Sequence, residues 1–407
     1  MVVGDEIAAI VFRIPRARVW PPVEHRFRAV SAAATSKGRL MRVLMRSAGS
    51  LTTVAAVLVA PVAFGAVAQA GVNSAATARW RVSFVSKNAV SDFTDIAAVS
   101  ARDVWAVGNV TPPGLGGRHP IVRRWDGKAW RTVALPSKFS HAQLFAVAAS
   151  SRTDVWVFGQ WRNSNGLDGH AFALRWTGSW SVVGFFKTFN LISDGVVFGP
   201  KNAWIFGAAG VRHFNGHGWT TSSLPYSLGR ASAISANDIW AVGADKSTSA
   251  PVLSRSHNGK WVLQPLPAIS SGPPGPIATD VLARSDQDVW VVGGTLTGQG
   301  GLRPLSLHWQ SGSWTQPVVH GVDHLGRVIA DGKGGLWAAF IGPFDGSSLE
   351  HFTGGTWQTV KLPVVTGKAT SAIALALVPG SATAYAAGST IFGGLPGTNA
   401  LLLKYSR

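Results

Sequence analysis

The 407-residue chain has no cysteine. That excludes a disulfide framework, a thiolate nucleophile, a Cys-rich zinc site and a lipid-modified N-terminal cysteine. Acidic residues are few, 19 Asp and Glu against 37 Lys and Arg, and Glu350 is the one glutamate after residue 70. Tyrosine is limited to Tyr226, Tyr385 and Tyr405. After residue 67 no apolar run is long enough to span a bilayer, and no C-terminal sorting tail follows the last apolar segment. Against these absences stand 18 tryptophans and 47 glycines, a balance that predicts many short strands and tight turns instead of helices. The expected class is all-β.

The N-terminal part has a different character. From Met41 the chain reads MRVLMRSAGS and continues through an apolar stretch, Leu51 to Val67, to the small-residue site Ala68-Gln69-Ala70. This is the layout of a secretory signal peptide over 41–70, cleaved after Ala70. Residues 1–40 contain Arg and Pro without an apolar period and are expected to be a non-translated or disordered extension, with translation starting at Met41. The mature protein, 71–407, is then predicted to be secreted and free of the membrane, and a monomer. Residues 1–70 carry nine basic residues against three acidic ones, so twelve of the eighteen net positive charges belong to the remainder. Such a surface suits an anionic polymer or simply solubility.

Self-similarity organises the rest. DVWAVG at 103 recurs as DVWVFG at 154, NAWIFG at 202, DIWAVG at 238, DVWVVG at 288, GLWAAF at 335 and TAYAAG at 383, with spacings of 36 to 51 residues. A second block follows each: RRWDGKAW at 123, LRWTGSW at 174, RHFNGHGW at 212, RSHNGKW at 255, LHWQSGSW at 307 and EHFTGGTW at 350. The seventh copy stops at LLLKYSR, and its missing Trp strand stands at the other end as ARWRV from Ala78. Repeats of this period that cannot bury their faces alone stack on one another. The prediction is a seven-bladed β-propeller over 71–407, built of four-stranded antiparallel blades, in which the N-terminal strand completes the last blade as a Velcro closure.

Within each unit, strand a precedes the DVW block, strand b is the block, strand c ends in its aromatic residue, and strand d starts at the next Trp. The a-to-b and c-to-d links are short and rich in Asp, Asn, Ser and Gly, the residues of tight turns. The b-to-c links vary from about seven to about 17 residues, so one rim is uniform and the other variable. Trp105, Trp156, Trp204, Trp240, Trp290 and Trp337 on strand b are expected to be core, and Trp130, Trp180, Trp219, Trp261, Trp314 and Trp357 to be contacts between blades. Asp103, Asp154, Asp238 and Asp288 before strand b, and Asp126 in a c-to-d turn, are expected to cap turns.

The two-part unit, DVWAVG followed by W-[DN]-G-x-x-W, resembles the repeats of uncharacterised exported bacterial propellers and, more loosely, the Asp-box propellers typified by sialidases. Asp126, Gly127 and Trp130 fit the Asp-box pattern, whereas Arg124 stands where it has Ser. A sialidase-like site implies a Tyr nucleophile with a Glu partner and an arginine cluster, for which this sequence has little material. The Tyr–Cys crosslink of galactose-oxidase-like propellers is excluded by the lack of cysteine. Glycosidase chemistry needs two facing carboxyls about 5 to 9.5 Å apart.

Ten residues before the strand-b Trp lie Asp95, Ala146, Asp194, Arg230, Asp280 and Arg327. At the start of strand a on the variable rim, these residues should ring the channel mouth. They would form either a solvated collar of Asp–Arg pairs or a site for a polar ligand or cation. Neighbouring rim candidates are Trp161, Asp168, His170, Tyr226 and His324, with Trp161 belonging to no repeat and free to stack on a sugar. No cofactor or metal is expected, nor nucleic acid. The leading expectation is a non-catalytic extracellular propeller recognising glycan or another polar, anionic polymer at the variable face. The alternatives are a carbohydrate-active hydrolase or lyase using axial Asp and Arg, and a protein-interaction platform.

Overall fold

The computed structural model describes residues 77–407 except 88–89, 113–116, 162–168, 188–191, 273–274, 298–300, 322, 342–347 and 393–394. The expected extension, the signal segment and Asp168 lie outside the described residues. Within them the chain is all-β, with a single 3-10 turn at Ser137–Phe139 and no α-helix. The strands form antiparallel meanders over residues 91–132, 143–186, 192–222, 226–264, 277–315 and 324–361. The 192–222 and 226–264 meanders touch through one ladder pair, Gly207 with Leu228. A last sheet orders Ala369–Leu377, Ala384–Phe392 and Leu395–Ser406, and Arg79–Val85 from the other end of the chain pairs with Leu395–Ser406.

Burial explains why the DVW blocks read as unbroken apolar runs. Asp103–Val110 is buried at every position but its last, because neighbouring sheets cover both faces of an inner strand. The fourth strands are open on alternate residues, as in Lys260–Gln264. Three c-to-d turns have a positive φ at both central residues, as at Asn258–Gly259 (52° and 81°) and Ser311–Gly312 (50° and 90°), the geometry that Asn and Gly permit in two-residue hairpins, and three have it at one glycine, Gly127, Gly178 or Gly216. Asp126 caps its turn as expected, accepting from the Lys128 and Ala129 amides, each at 2.8 Å.

The residues before strand b do something else. Asp103 accepts two hydrogen bonds from Arg124 (2.9 and 2.7 Å), and Asp238 two from Arg255 (2.8 and 2.6 Å). Asp154 pairs with Arg175 at 2.6 Å, and Asp288 with His308 at 3.0 Å. Each of these bases lies opposite the strand-b Trp in the ladder and covers its ring: Arg124 sits 4.9 Å over Trp105, and His308 stacks at 3.9 Å on Trp290. Asn202 with His213 on Trp204, and Asp331 with His351 on Trp337, repeat the device. Asp103, Asp154 and Asp238 are therefore ion-pair anchors for a cation–π stack, and Asp288 orients the His308 ring on Trp290, where turn caps were expected. The ladder sets strand c directly opposite, within reach of a carboxylate that would otherwise be buried without a partner.

The other face of four strand-b rings receives an edge from the next sheet. Trp180 meets Trp105 at 79°, Trp219 meets Trp156 at 81°, Trp261 meets Trp204 at 78° and Trp357 meets Trp290 at 89°. Edge-to-face pairs of this kind add roughly 0.5–1.5 kcal/mol each beyond their buried area. The two chain ends join the same series. Trp80 meets Trp337 at 82° and 5.4 Å, Trp130 meets Tyr385 at 87° and 6.0 Å, and the Trp130 indole N–H donates to Ser83 Oγ.

Candidate functional site

One irregularity recurs in every first strand: a β-bulge, between Phe93 and Asp95, Leu144 and Ala146, Ile192 and Asp194, Leu228 and Arg230, Ala278 and Asp280, Leu325 and Arg327, and Ala372 and Ala374. A bulge re-aims the side chain that follows it, and in five of the seven strands that residue is the charged position singled out from the sequence, the other two having Ala146 and Ala374. These residues lie inside their strands and not at the start; Asp95 belongs to Ser91–Ser100. The bulge residues Thr94 and Thr279 also reach the neighbouring sheet, donating to the carbonyls of Leu144 and Leu325.

The ring is buried, which corrects the expected solvated mouth. Asp95, Asp194 and Asp280 are 3, 6 and 3 % exposed. Arg327 donates to Asp95 at 2.5 Å and comes within 3.9 Å of Asp194. It thus links three sheets that do not adjoin, across the centre they enclose. Arg230 lies 3.6 Å from Asp194. Each carboxylate also accepts the backbone N–H one residue after the ring position of another sheet: Asp95 from Val147 (2.9 Å), Asp194 from Ala231 (3.0 Å), Asp280 from Val328 (2.9 Å). Hydrogen bonds to a charged group are worth about 1.5–3 kcal/mol. The polar ring therefore holds sheets together, contrary to the expectation that it would not.

Its electrostatics follow from three carboxyls sharing two guanidiniums. Burial raises the pKa of Asp95, with Arg327 and Arg230 offsetting part of the shift. Burial likewise pushes Asp280 up to about 6 against the same two arginines. For Arg327, burial alone would lower the pKa, but Asp95, Asp194 and Asp280 together hold it above its ordinary value. A single proton on the carboxyls would neutralise the cluster. Among the described residues no group of three His, Asp or Glu side chains could hold a metal.

The other candidates separate. Tyr226 is 4 % exposed in the core, its hydroxyl 3.1 Å from Ser254 Oγ, so it is a packing residue and no rim ligand. His324 is fixed by Asp323 at 2.8 Å. Trp161, by contrast, lines an open hollow of about 220 Å³ with Lys138, Phe139, Val182 and Phe185. Its indole N–H donates to the Lys138 carbonyl at 2.7 Å, which fixes the ring. The His170 ring lies parallel to it within 1°, and Phe185 is 5.9 Å from Trp161 and 5.1 Å from His170. Phe185 and Val182 are 45 and 42 % exposed, an apolar pair that sheet packing does not consume. Phe185, Val182 and Lys138 were not singled out from the sequence. The signal was there: WSVVGFF at 180 is apolar on both alternations, where the matching strand at 219 reads WTTS. A second hollow, of about 260 Å³, is lined by Ser193, Ser227, Gly229 and Ala278, next in the chain to the axial charges or close to them.

No protein-family profile and no curated relative matches the chain. Solved structures do. YCF48 bound to a D1 peptide matches with a TM-score of 0.53 at 13% identity, over 81% of this chain and 97% of that one. The WD40 β-propeller domain of Doa1 matches at 0.53 and 12%, over 81% and 98%. A GH74 xyloglucanase from Xanthomonas campestris matches at 0.53 and 16%, over 76% of this chain and 53% of that one. Similarity at this level carries the fold, and the fold is a β-propeller.

Proposed function

We propose that the protein is an exported propeller that binds a glycan or another polar polymer on its variable-loop face and catalyses no reaction. The carrying observation is the contrast in how polar and aromatic groups are used. Each axial carboxyl is bonded to a backbone amide of another blade, leaving no facing acid–base pair free, whereas Trp161, Phe185 and Val182 present a fixed apolar surface to solvent. Flat aromatic surface beside polar groups suits the C–H face of a sugar ring, and one aromatic contact is worth about 1–3 kcal/mol if stacking on sugars compares with stacking on bases. The xyloglucanase neighbour acts on a carbohydrate, and this chain's own hollow carries the proposal.

The finer architecture belongs to the same reading: seven blades, closed by the N-terminal strand. The seven DVW-type copies support the count, and the pairing of Arg79–Val85 with Leu395–Ser406 and the seating of Trp80 on Trp337 support the closure. Export rests on the segment 41–70. Affinity electrophoresis through a panel of polysaccharides tests the function. At least one polymer should retard the protein, with Trp161→Ala losing about tenfold in affinity while its melting temperature falls by only about 2–4 °C. Retardation by none, or equal retardation of the variant, would overturn the proposal.

A further inference from the structure

We infer that the polymer taken at the Trp161 hollow is a carboxylated glycan, one built of uronic acid units; this rests on the reading above and narrows it. The argument is charge complementarity. Lys138 lines the hollow and is exposed, its ammonium 5.1 Å from the Phe139 ring. Lys187, exposed, lies two residues beyond Phe185. Among the described residues neither lysine is in an ion pair, so a ligand carboxylate would displace no internal partner. The acids nearby are accounted for. Asp154, at the far end of the strand Asp154–Trp161, is bonded to Arg175, and Asp92 on the adjoining blade is bonded to Arg118. His119 and His141, with rings 5.0 Å apart, add hydrogen-bonding groups without negative charge.

A uronate unit fits these groups in one pose. Its C–H face lies on Trp161, with the Phe185 ring, tilted 59° from that of Trp161, against its edge, and its equatorial carboxylate reaches Lys138. A neutral sugar would use the rings and leave both ammonium groups unanswered. A simple polyanion would use the ammonium groups and leave the rings exposed.

Binding of the purified protein to polygalacturonate and to the same chain fully methyl-esterified separates these cases. The acid chain should bind about fourfold to twenty-fivefold more tightly, at roughly twofold to fivefold for each of the two exposed lysines, and raising NaCl from about 0.05 to about 0.5 M should close the gap. Lys138→Ala with Lys187→Ala should weaken the acid chain alone, bringing it level with the esterified one. Lys128→Ala, in a turn on the opposite rim, should change neither. Equal affinity for the two chains, with Trp161→Ala weakening both, would overturn the uronate inference and leave the glycan reading standing. Acid-chain binding that ignores Trp161→Ala, or single-stranded DNA bound as tightly, would mean attraction to the basic surface at large and would overturn both.

Discussion

The axial cluster and the Trp161 hollow are both departures from the repeat, and they are used in opposite ways. At the axis, charged side chains from several blades turn inward after a bulge and satisfy one another and the backbone. At the hollow, Phe185 and Val182 stay exposed beside Trp161, which is partly packed on the core and is held from behind by the Lys138 carbonyl. Rarity within a repeat marks both regions. What distinguishes them is whether the local groups find partners inside the molecule. The axis is where the fold uses its charge, and the hollow is where surface is left for something else.

The harshest way to break this comparison is at the seam between the two chain ends. Deleting residues 77–86 removes the strand paired with Leu395–Ser406, takes Trp80 off Trp337 and takes Ser83 from Trp130. It also leaves an open sheet edge. The melting temperature should fall by roughly 10 °C or more, with aggregation, at about 2–4 °C per kcal/mol for a domain of this size. An unchanged transition would argue against closure and against the blade count with it. Next in size is Asp95→Ala, which leaves Arg327 buried without its nearest carboxylate and the Val147 amide unpaired. The expected loss is about 3–5 kcal/mol in chemical denaturation. Asp95→Asn, which keeps an acceptor, should lose less. A loss under about 1 kcal/mol for the alanine variant would return the ring to the surface-collar reading.

How much of this was legible in the sequence depends on what each residue answers to. Strand-b tryptophans and c-to-d turns were legible because a fixed offset within the repeat places them. The basic residue before the strand-c aromatic, as in Arg124-Trp125, Arg175-Trp176, His213-Phe214 and His308-Trp309, stood in the quoted blocks as well. Its tie to the acid before strand b was hidden by the variable loop between them. The bulges were not legible, since Thr94, Phe145, Ser193, Gly229, Thr279, Gly326 and Ile373 share no residue type. Without the bulge the charged position appeared to begin its strand at a wet rim. Its burial follows from the strand starting earlier and from blades across the ring closing on it, which no local pattern records. Tyr226 failed for a similar reason: an aromatic residue near a variable link looked free, and Ser254 lay opposite.

The pH dependence sharpens the axial half of the comparison. Asp280 has a folded pKa of about 6 against an ordinary 3.8. Below 3.8 it is protonated in both states and has no effect. Between about 4 and 6 the folded state keeps a proton that the unfolded state has lost, so stability falls as pH rises through this window. The total is on the order of 3 kcal/mol. Above 6 the term is constant. Asp331 works in the opposite sense, since its pKa is lowered: burial opposes the shift, but His351 and two backbone amides prevail. Its contribution is lost only as pH drops below the ordinary carboxylate range. Urea denaturation at pH 4.5 and 7 should therefore show a decline in the native protein that Asp280→Asn reduces, the remainder belonging to Asp95, whose pKa burial also raises. A decline that is undiminished in this variant would place the titrating group elsewhere.

The smallest effect on stability belongs to the hollow, and it is the sharpest discriminator. Trp161→Ala removes one indole N–H donor to the Lys138 carbonyl and a ring that is only partly buried, at the end of a strand whose other residues are untouched. That is a loss of about 1 kcal/mol, roughly 2–4 °C in melting temperature. Trp156, five residues earlier on the same strand, is fully buried beneath Trp219, and Trp156→Ala should cost about 3–5 kcal/mol. The pair tests one strand from its two ends, with binding and melting measured on both variants. If the hollow is a ligand surface, Trp161→Ala loses polymer and keeps its fold, while Trp156→Ala loses stability and, where still folded at low temperature, keeps its affinity. If Trp161→Ala instead melts as early as Trp156→Ala, the ring is part of the packed interior and the hollow is a gap in it.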